Sequence, residues 1–188
     1  MLCFKLTERI KFHFRSQTAH GIHSPFVYNL YKQIKNSADK CQIPASFQST
    51  FSSKQGRILK TIFQVLKINK TLVIDDEADD LKAFLRQIEH AYSAVEIKDL
   101  SKISQKFDLI ILSKSLLISN KLDFTTLTHL VFNHSLVIIS HIHASKQAIM
   151  HWNTLIKKKM FTVSIDLFFV GLLFFRKESS KQDFTLRF

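Results

Sequence analysis

The chain has 188 residues, 46% of them hydrophobic and 18 of them Phe, which fits one domain with a largely aromatic core and excludes a disordered polymer. Its 27 Lys and Arg against 15 Asp and Glu give a formal net charge of +12; this favours loose contact with nucleic acid, anionic lipid or acidic ligands, but no arginine-rich block or nucleic-acid motif accompanies it, so nucleic acid is not the favoured partner. Cys3 and Cys41 lack metal-ligand spacing, no signal-peptide core is present, and Phe161 to Phe175 is interrupted by Asp166 and too short to span a bilayer, so a cytoplasmic protein without a membrane span is expected.

In chain order, residues 1–17 read as a helix with Phe4, Ile10, Phe12 and Phe14 among basic residues. Ser24 is placed to cap a second helix, with Pro25 at its first position, running to about Ile34. Residues 36–53 are polar and mixed and read as a loop or weak helix; Lys54 to Lys67 has an amphipathic pattern. From residue 70 the rhythm changes. Thr71 to Asp75, Ser93 to Ile97, Asp108 to Leu112 and Ser135 to Ile139 read as strands, alternating with helices over Asp79 to Ala91 and Asp123 to Phe132. Ser145 caps a further helix extending through Lys159, closed by Lys157 to Lys159, where cations favour the helix dipole. Phe161 to Phe168 and Leu172 to Arg176 suit an antiparallel pair around Gly171, and Phe184 to Phe188 a short edge strand. This alternation predicts an α/β fold, a mostly parallel sheet with helices on both faces. Residues 1–69 form an N-terminal helical extension on a core of 70–188.

Glycine is the most informative count. There are three, Gly21, Gly56 and Gly171, where ordinary usage would give roughly 13. No segment holds the two or three closely spaced glycines of a phosphate cradle or dinucleotide fingerprint. Ligands of an open parallel sheet bind outside the carboxyl ends of its strands. The residues falling there are Asp75, Asp76 and Glu77, then Ser113, then Ser140, His141 and His143. The run Asp75 to Asp80 carries five carboxylates, which suit a helix start and a solvated acidic turn; hard cations also favour such clusters, but no metal is expected. His141 and His143 are the candidate acid–base groups, though two histidines at such a turn are more often surface residues. Trp152 reads as a core or interface anchor. Asp166, inside an apolar strand, is expected to pair with Arg176.

Three segments act together as a signature: His20-Gly21-Ile22-His23-Ser24-Pro25-Phe26-Val27-Tyr28; Ile142-His143-Ala144-Ser145 with Trp152; and Thr162 to Phe168, Gly171 to Glu178 and Phe184 to Phe188. They resemble a bacterial family of class I S-adenosylmethionine-dependent methyltransferases. The resemblance implies a Rossmann-like sheet preceded by helices and closed by an antiparallel strand pair. It implies S-adenosylmethionine as cofactor, with Asp75, Asp76, Glu96 and Ser113 as candidate contacts. The chain departs from the family where the cofactor is held. Val73-Ile74-Asp75-Asp76-Glu77 has no glycine, Ser140-His141 replaces an acidic pair, and Ser113 stands where an aspartate is expected. The span between the first strand and Asp108 is also short for the family's full set of strands. The expectation is a methyltransferase-like protein with weakened or lost cofactor binding and catalysis. A second, local resemblance links Leu72-Val73-Ile74-Asp75-Asp76-Glu77 to receiver domains of response regulators, where such acids bind magnesium; Ser113 there replaces the phosphorylated aspartate. A degenerate receiver-like signalling domain and a basic nucleic-acid-binding module are the alternatives.

Overall fold

A computed structural model describes residues 2–44, 51–74, 79–119 and 122–188. The first helix, α1, spans Leu2–Arg15. Ser24 caps α2 (Pro25–Ser37) by accepting from the Val27 N–H, and Pro25 occupies the first turn, where a missing N–H costs nothing. Val27, Leu30, Tyr31 and Ile34 recur at helical spacing and are all buried. Helix α3 (Ser53–Val65) opens on a capping box. The Gln55 N–H donates to Ser52 Oγ at 3.3 Å, and the Ser52 N–H donates to Gln55 Oε1 at 2.8 Å.

The remaining elements are β1 (Thr71–Ile74), α4 (Asp79–Gln87), β2 (Ser93–Val95), β3 (Phe107–Leu112), α5 (Lys114–Ser119), β4 (Val131–Ser140), α6 (Lys146–Leu155), β5 (Val163–Asp166), β6 (Val170–Phe174) and β7 (Gln182–Thr185). They form one seven-stranded sheet in the order β2-β1-β3-β4-β6-β5-β7. Every strand but β6 runs in one direction; β6 is antiparallel to both β4 and β5. This is an α/β, Rossmann-like sheet, with helices before it and a reversed strand near its end. The reversed β6 between β4 and β5 is foreign to the all-parallel sheet of a receiver domain.

Two cores sandwich the sheet. On one face Val73, Leu109, Ile111 and Ile138 meet α2, α3 and α4. On the other Ile74, Ile110, Val137 and Ile139 meet Leu116, Leu127, Trp152 and Phe161. The buried strands are continuous apolar runs because both faces are covered. Trp152, 3% exposed, is the core anchor its sequence context suggests. It lies on Gly171 so closely that a Cβ there would meet the indole at 2.5 Å.

Several expectations change, among them the helix expected to reach Ala91, which ends at Gln87, and the strand expected to reach Ile97, which ends at Val95. Residues 124–130 form a 3-10 helix and β4 begins at Val131, where a helix over Asp123 to Phe132 is expected. The reason lies in its threonines: Thr126 Oγ1 donates to the Asp123 carbonyl at 2.6 Å and Thr128 Oγ1 to the Thr125 carbonyl at 2.7 Å, favouring the tighter turn. Helix α6 is capped by Ser145 but ends at Leu155, not Lys159. Trp152 and Leu155 anchor its last turn, and single turns then carry Lys157 to Lys159 outside the helix. The tail strand is shifted to Gln182–Thr185, pairs in parallel with β5, and leaves Leu186 bridged to Gln17.

At the amino-terminal edge of the sheet, Asp108 Oδ2 accepts from the N–H groups of Asn69 at 3.0 Å and Lys70 at 2.9 Å. Burial pulls its carboxyl upward, but those two N–H groups and nearby His134 outweigh it and hold the group below the usual carboxylate range.

Candidate functional site

The carboxyl ends of β1, β2, β3, β4 and β5 share one edge, and strand order reverses between β1 and β3. In open α/β sheets this is where a ligand crevice forms. Asp75 and Asp76 lie outside the described residues. Glu96 follows β2, is exposed, and pairs with Lys98 at 2.6 Å. Ser113 follows β3 and is 1% exposed. Its Oγ accepts from the Leu116 N–H at 3.1 Å and lies 2.7 Å from Ser115 Oγ, so the hydroxyl caps α5. These two candidates therefore do not converge. Among the described residues no group of three His, Cys, Asp or Glu side chains stands ready to hold a metal ion.

Convergence occurs instead over β4 and β5. His141 takes a left-handed backbone, φ 55°, and its N–H donates to the Phe169 carbonyl at 2.8 Å. Its Nε2 hydrogen-bonds Asp80 at the start of α4. Asp80 follows β1 and His141 follows β4, so this link joins elements that lie on either side of β3 in the sheet. Phe51, 3% exposed, stacks on the His141 ring at 5.7 Å and packs edge-on to Phe84 and Phe169.

His143 is the better buried of the pair, with 12% of its side chain exposed. Its Nε2 lies 2.7 Å from Asp166 Oδ2 at the end of β5, and its ring stacks on Phe168 at 4.8 Å. The other oxygen of Asp166 accepts the Phe168 N–H at 2.7 Å. That bond helps hold Phe168 at φ 71°, a conformation costly for a bulky residue. His143 Nδ1 is buried without a hydrogen-bond partner, 4.0 Å from Glu8 Oε2 of α1.

Asp166 thus pairs with His143 and not with Arg176. The reason is strand direction: Asp166 is level with Gly171, and β6 then carries the chain away, so Arg176 emerges at the opposite edge. There Arg176 lies 4.0 Å over the Phe26 ring and pairs with Glu178. The surface reading of the two histidines is likewise replaced, since each is held by a carboxylate and an aromatic ring. The acidic run contained Asp80, but nothing in the sequence joined it to a residue 61 positions away. Phe51 and the contacts of α1 carried no signal either.

A cavity of about 420 Å³ opens between α1 and this cluster. Lys5 and Arg9 contribute from α1, Phe51 from just ahead of α3, Gln55 from its first turn, and His141, His143, Phe168 and Phe169 from beyond the strand ends. Among the described residues its lining includes cationic and aromatic groups and no carboxylate. The size falls within the usual range for small-molecule sites.

No family model matches the sequence, and no curated protein matches it. Solved structures are similar in the course of the chain. The O-methyltransferase from Bacillus cereus, in complex with SAH, is 10% identical with a TM-score of 0.43, over 78% of this chain and 90% of that one. The SAH-bound methyltransferase PaMTH1 of Podospora anserina is 11% identical with a TM-score of 0.49, over 82% and 99%. The phosphoethanolamine N-methyltransferase 2 of Haemonchus contortus, in complex with S-adenosyl-L-methionine, is 16% identical with a TM-score of 0.45, over 62% and 35%. Among the described residues no helix is long and apolar enough to cross a membrane.

Proposed function

We propose that this chain is a methyltransferase-like protein whose S-adenosylmethionine binding and catalysis are weakened or lost, and that it serves as a binding or scaffold module. The observation that carries this reading is the His141–Asp80 link, roofed by Phe51. It joins elements that lie on either side of β3, beside the switch point where an adenosyl ligand of this fold would lie. The described residues fit that ligand poorly. The Ser113 hydroxyl is spent on α5, and Glu96 faces solvent with Lys98. The sequence also lacks glycine throughout 75–80, so the backbone there has no position free of a side chain for close approach. Asp75, Asp76, Glu96 and Ser113 are then remnants of a cofactor site. His141 and His143 serve the cavity by binding and not by methyl transfer. In this reading residues 1–69 are a helical extension on a core of 70–188, in a cytoplasmic protein.

Calorimetric titration with S-adenosylmethionine tests the reading. The expected outcome is no saturable heat at micromolar ligand. Micromolar binding would overturn it and return Asp75 and Glu96 to the list of working cofactor contacts.

A further inference from the structure

Helix α1 covers the candidate site with one face and carries an exposed apolar stripe that begins with Leu6 at the cavity rim and runs outward along the helix. Leu6, Ile10 and Phe14 recur every four residues and are 62%, 51% and 84% exposed. A spacing of four puts the three side chains in one row. They are half of the six large hydrophobic residues exposed among those described, gathered on a single helix.

Charge decides what covers this row. Glu8 is the only acid of α1, and it faces inward, with 12% of its side chain exposed; it bonds Lys11 at 2.7 Å and approaches His143. The flanking positions carry Lys5, Arg9, His13 and Arg15, all exposed, with Lys5 and Arg9 at the cavity mouth and Arg9 5.7 Å over the Phe168 ring. Arg187 adds a further cation beside His13 at 3.0 Å. An apolar row flanked by cations, with its acid turned away, is complementary to a surface that is apolar within and anionic at its rim. Nucleic acid offers the anions without the apolar phase. A second copy of the chain would bring another basic helix against this one.

We propose that α1 docks in the plane of an anionic lipid bilayer, with Leu6, Ile10 and Phe14 in the acyl boundary and Lys5, Arg9 and Arg15 among the headgroups. This is peripheral attachment, and it places the mouth of the cavity, which Lys5, Leu6 and Arg9 line, next to the membrane. The inference is independent of whether the fold retains a cofactor.

The test is co-sedimentation of the full chain with vesicles of phosphatidylcholine alone and of phosphatidylcholine mixed with phosphatidylserine. The expected result is binding to the anionic vesicles that weakens as salt rises, and little binding to the neutral ones. A combined Leu6→Ser, Ile10→Ser, Phe14→Ser variant leaves charge and core intact and should lose about a hundredfold in affinity. Failure of the native chain to bind anionic vesicles at low salt would overturn the proposal. So would unchanged binding by the triple variant, which would assign the attraction to charge alone. A dimer seen by light scattering that the triple variant dissolves, without vesicle binding, would assign the stripe to a second copy. Retention by RNA without vesicle binding would assign the basic surface to nucleic acid.

Discussion

The two halves of the carboxyl edge differ in how their side chains are used. Over β1, β2 and β3 the described candidates stand apart: Glu96 is at the surface, and Ser113 is folded into a helix cap. Over β4 and β5, Asp166, His143, His141, Phe51 and Phe168 lock into one cluster. Left-handed backbone at both His141 and Phe168 falls in the second half. Strained residues persist only where their surroundings over-determine them. The difference teaches that one sheet edge can use its side chains unevenly, for capping and surface pairing on one side and for buried histidine–carboxylate pairs on the other. Among the described residues, the half next to the switch point contributes Asp80 to a pair with His141, and the half next to the reversed strand holds the two histidines and Asp166.

The largest expected effect that could break this comparison comes from Asp166→Ala. It strips His143 of its carboxylate and orphans the Phe168 N–H, both partly buried. Loss of about 2–4 kcal/mol in chemical denaturation is expected; a loss below about 0.5 kcal/mol would mean the cluster is loose. An intermediate effect comes from the opposite edge, as a control outside both halves. The Asp108 carboxyl is held low in the folded chain, so its contribution is complete above the unfolded value of about 3.9 and is lost as pH falls through the folded value. Asp108→Ala should cost about 1–2 kcal/mol near neutral pH, shrinking in acid, as read from urea midpoints at two pH values. The smallest effect sharpens the comparison: Glu96→Ala, at an exposed ion pair, should shift stability by less than about 0.5 kcal/mol in the same measurement.

Most of the fold was legible because its signals are local. Ser24, Pro25 and Ser145 mark helix starts through backbone chemistry that acts within four residues. The apolar runs Thr71 to Ile74 and Asp108 to Leu112 announce strands covered on both faces. The 3-10 helix at Phe124–Leu130 escaped because the expectation weighed apolar spacing and not the competing threonine hydroxyls. The site was less legible. Asp166 was recognisable as a buried carboxylate in need of a partner, but the choice between His143 and Arg176 rests on which way β6 runs, and that is settled by pairing between strands. Phe51 belongs to the segment just ahead of α3, and no periodicity marks it.

The join between α1 and the tail carries a consequence for the cavity. The Gln17 N–H donates to the Thr185 carbonyl at 2.7 Å, Gln17 bridges Leu186, and Arg187 reaches His13 across 174 positions of sequence. Contacts of such separation carry a loop-closure penalty that must be met before they reward the chain. The seat of α1 over the cavity therefore depends on β7 and the residues after it being in place.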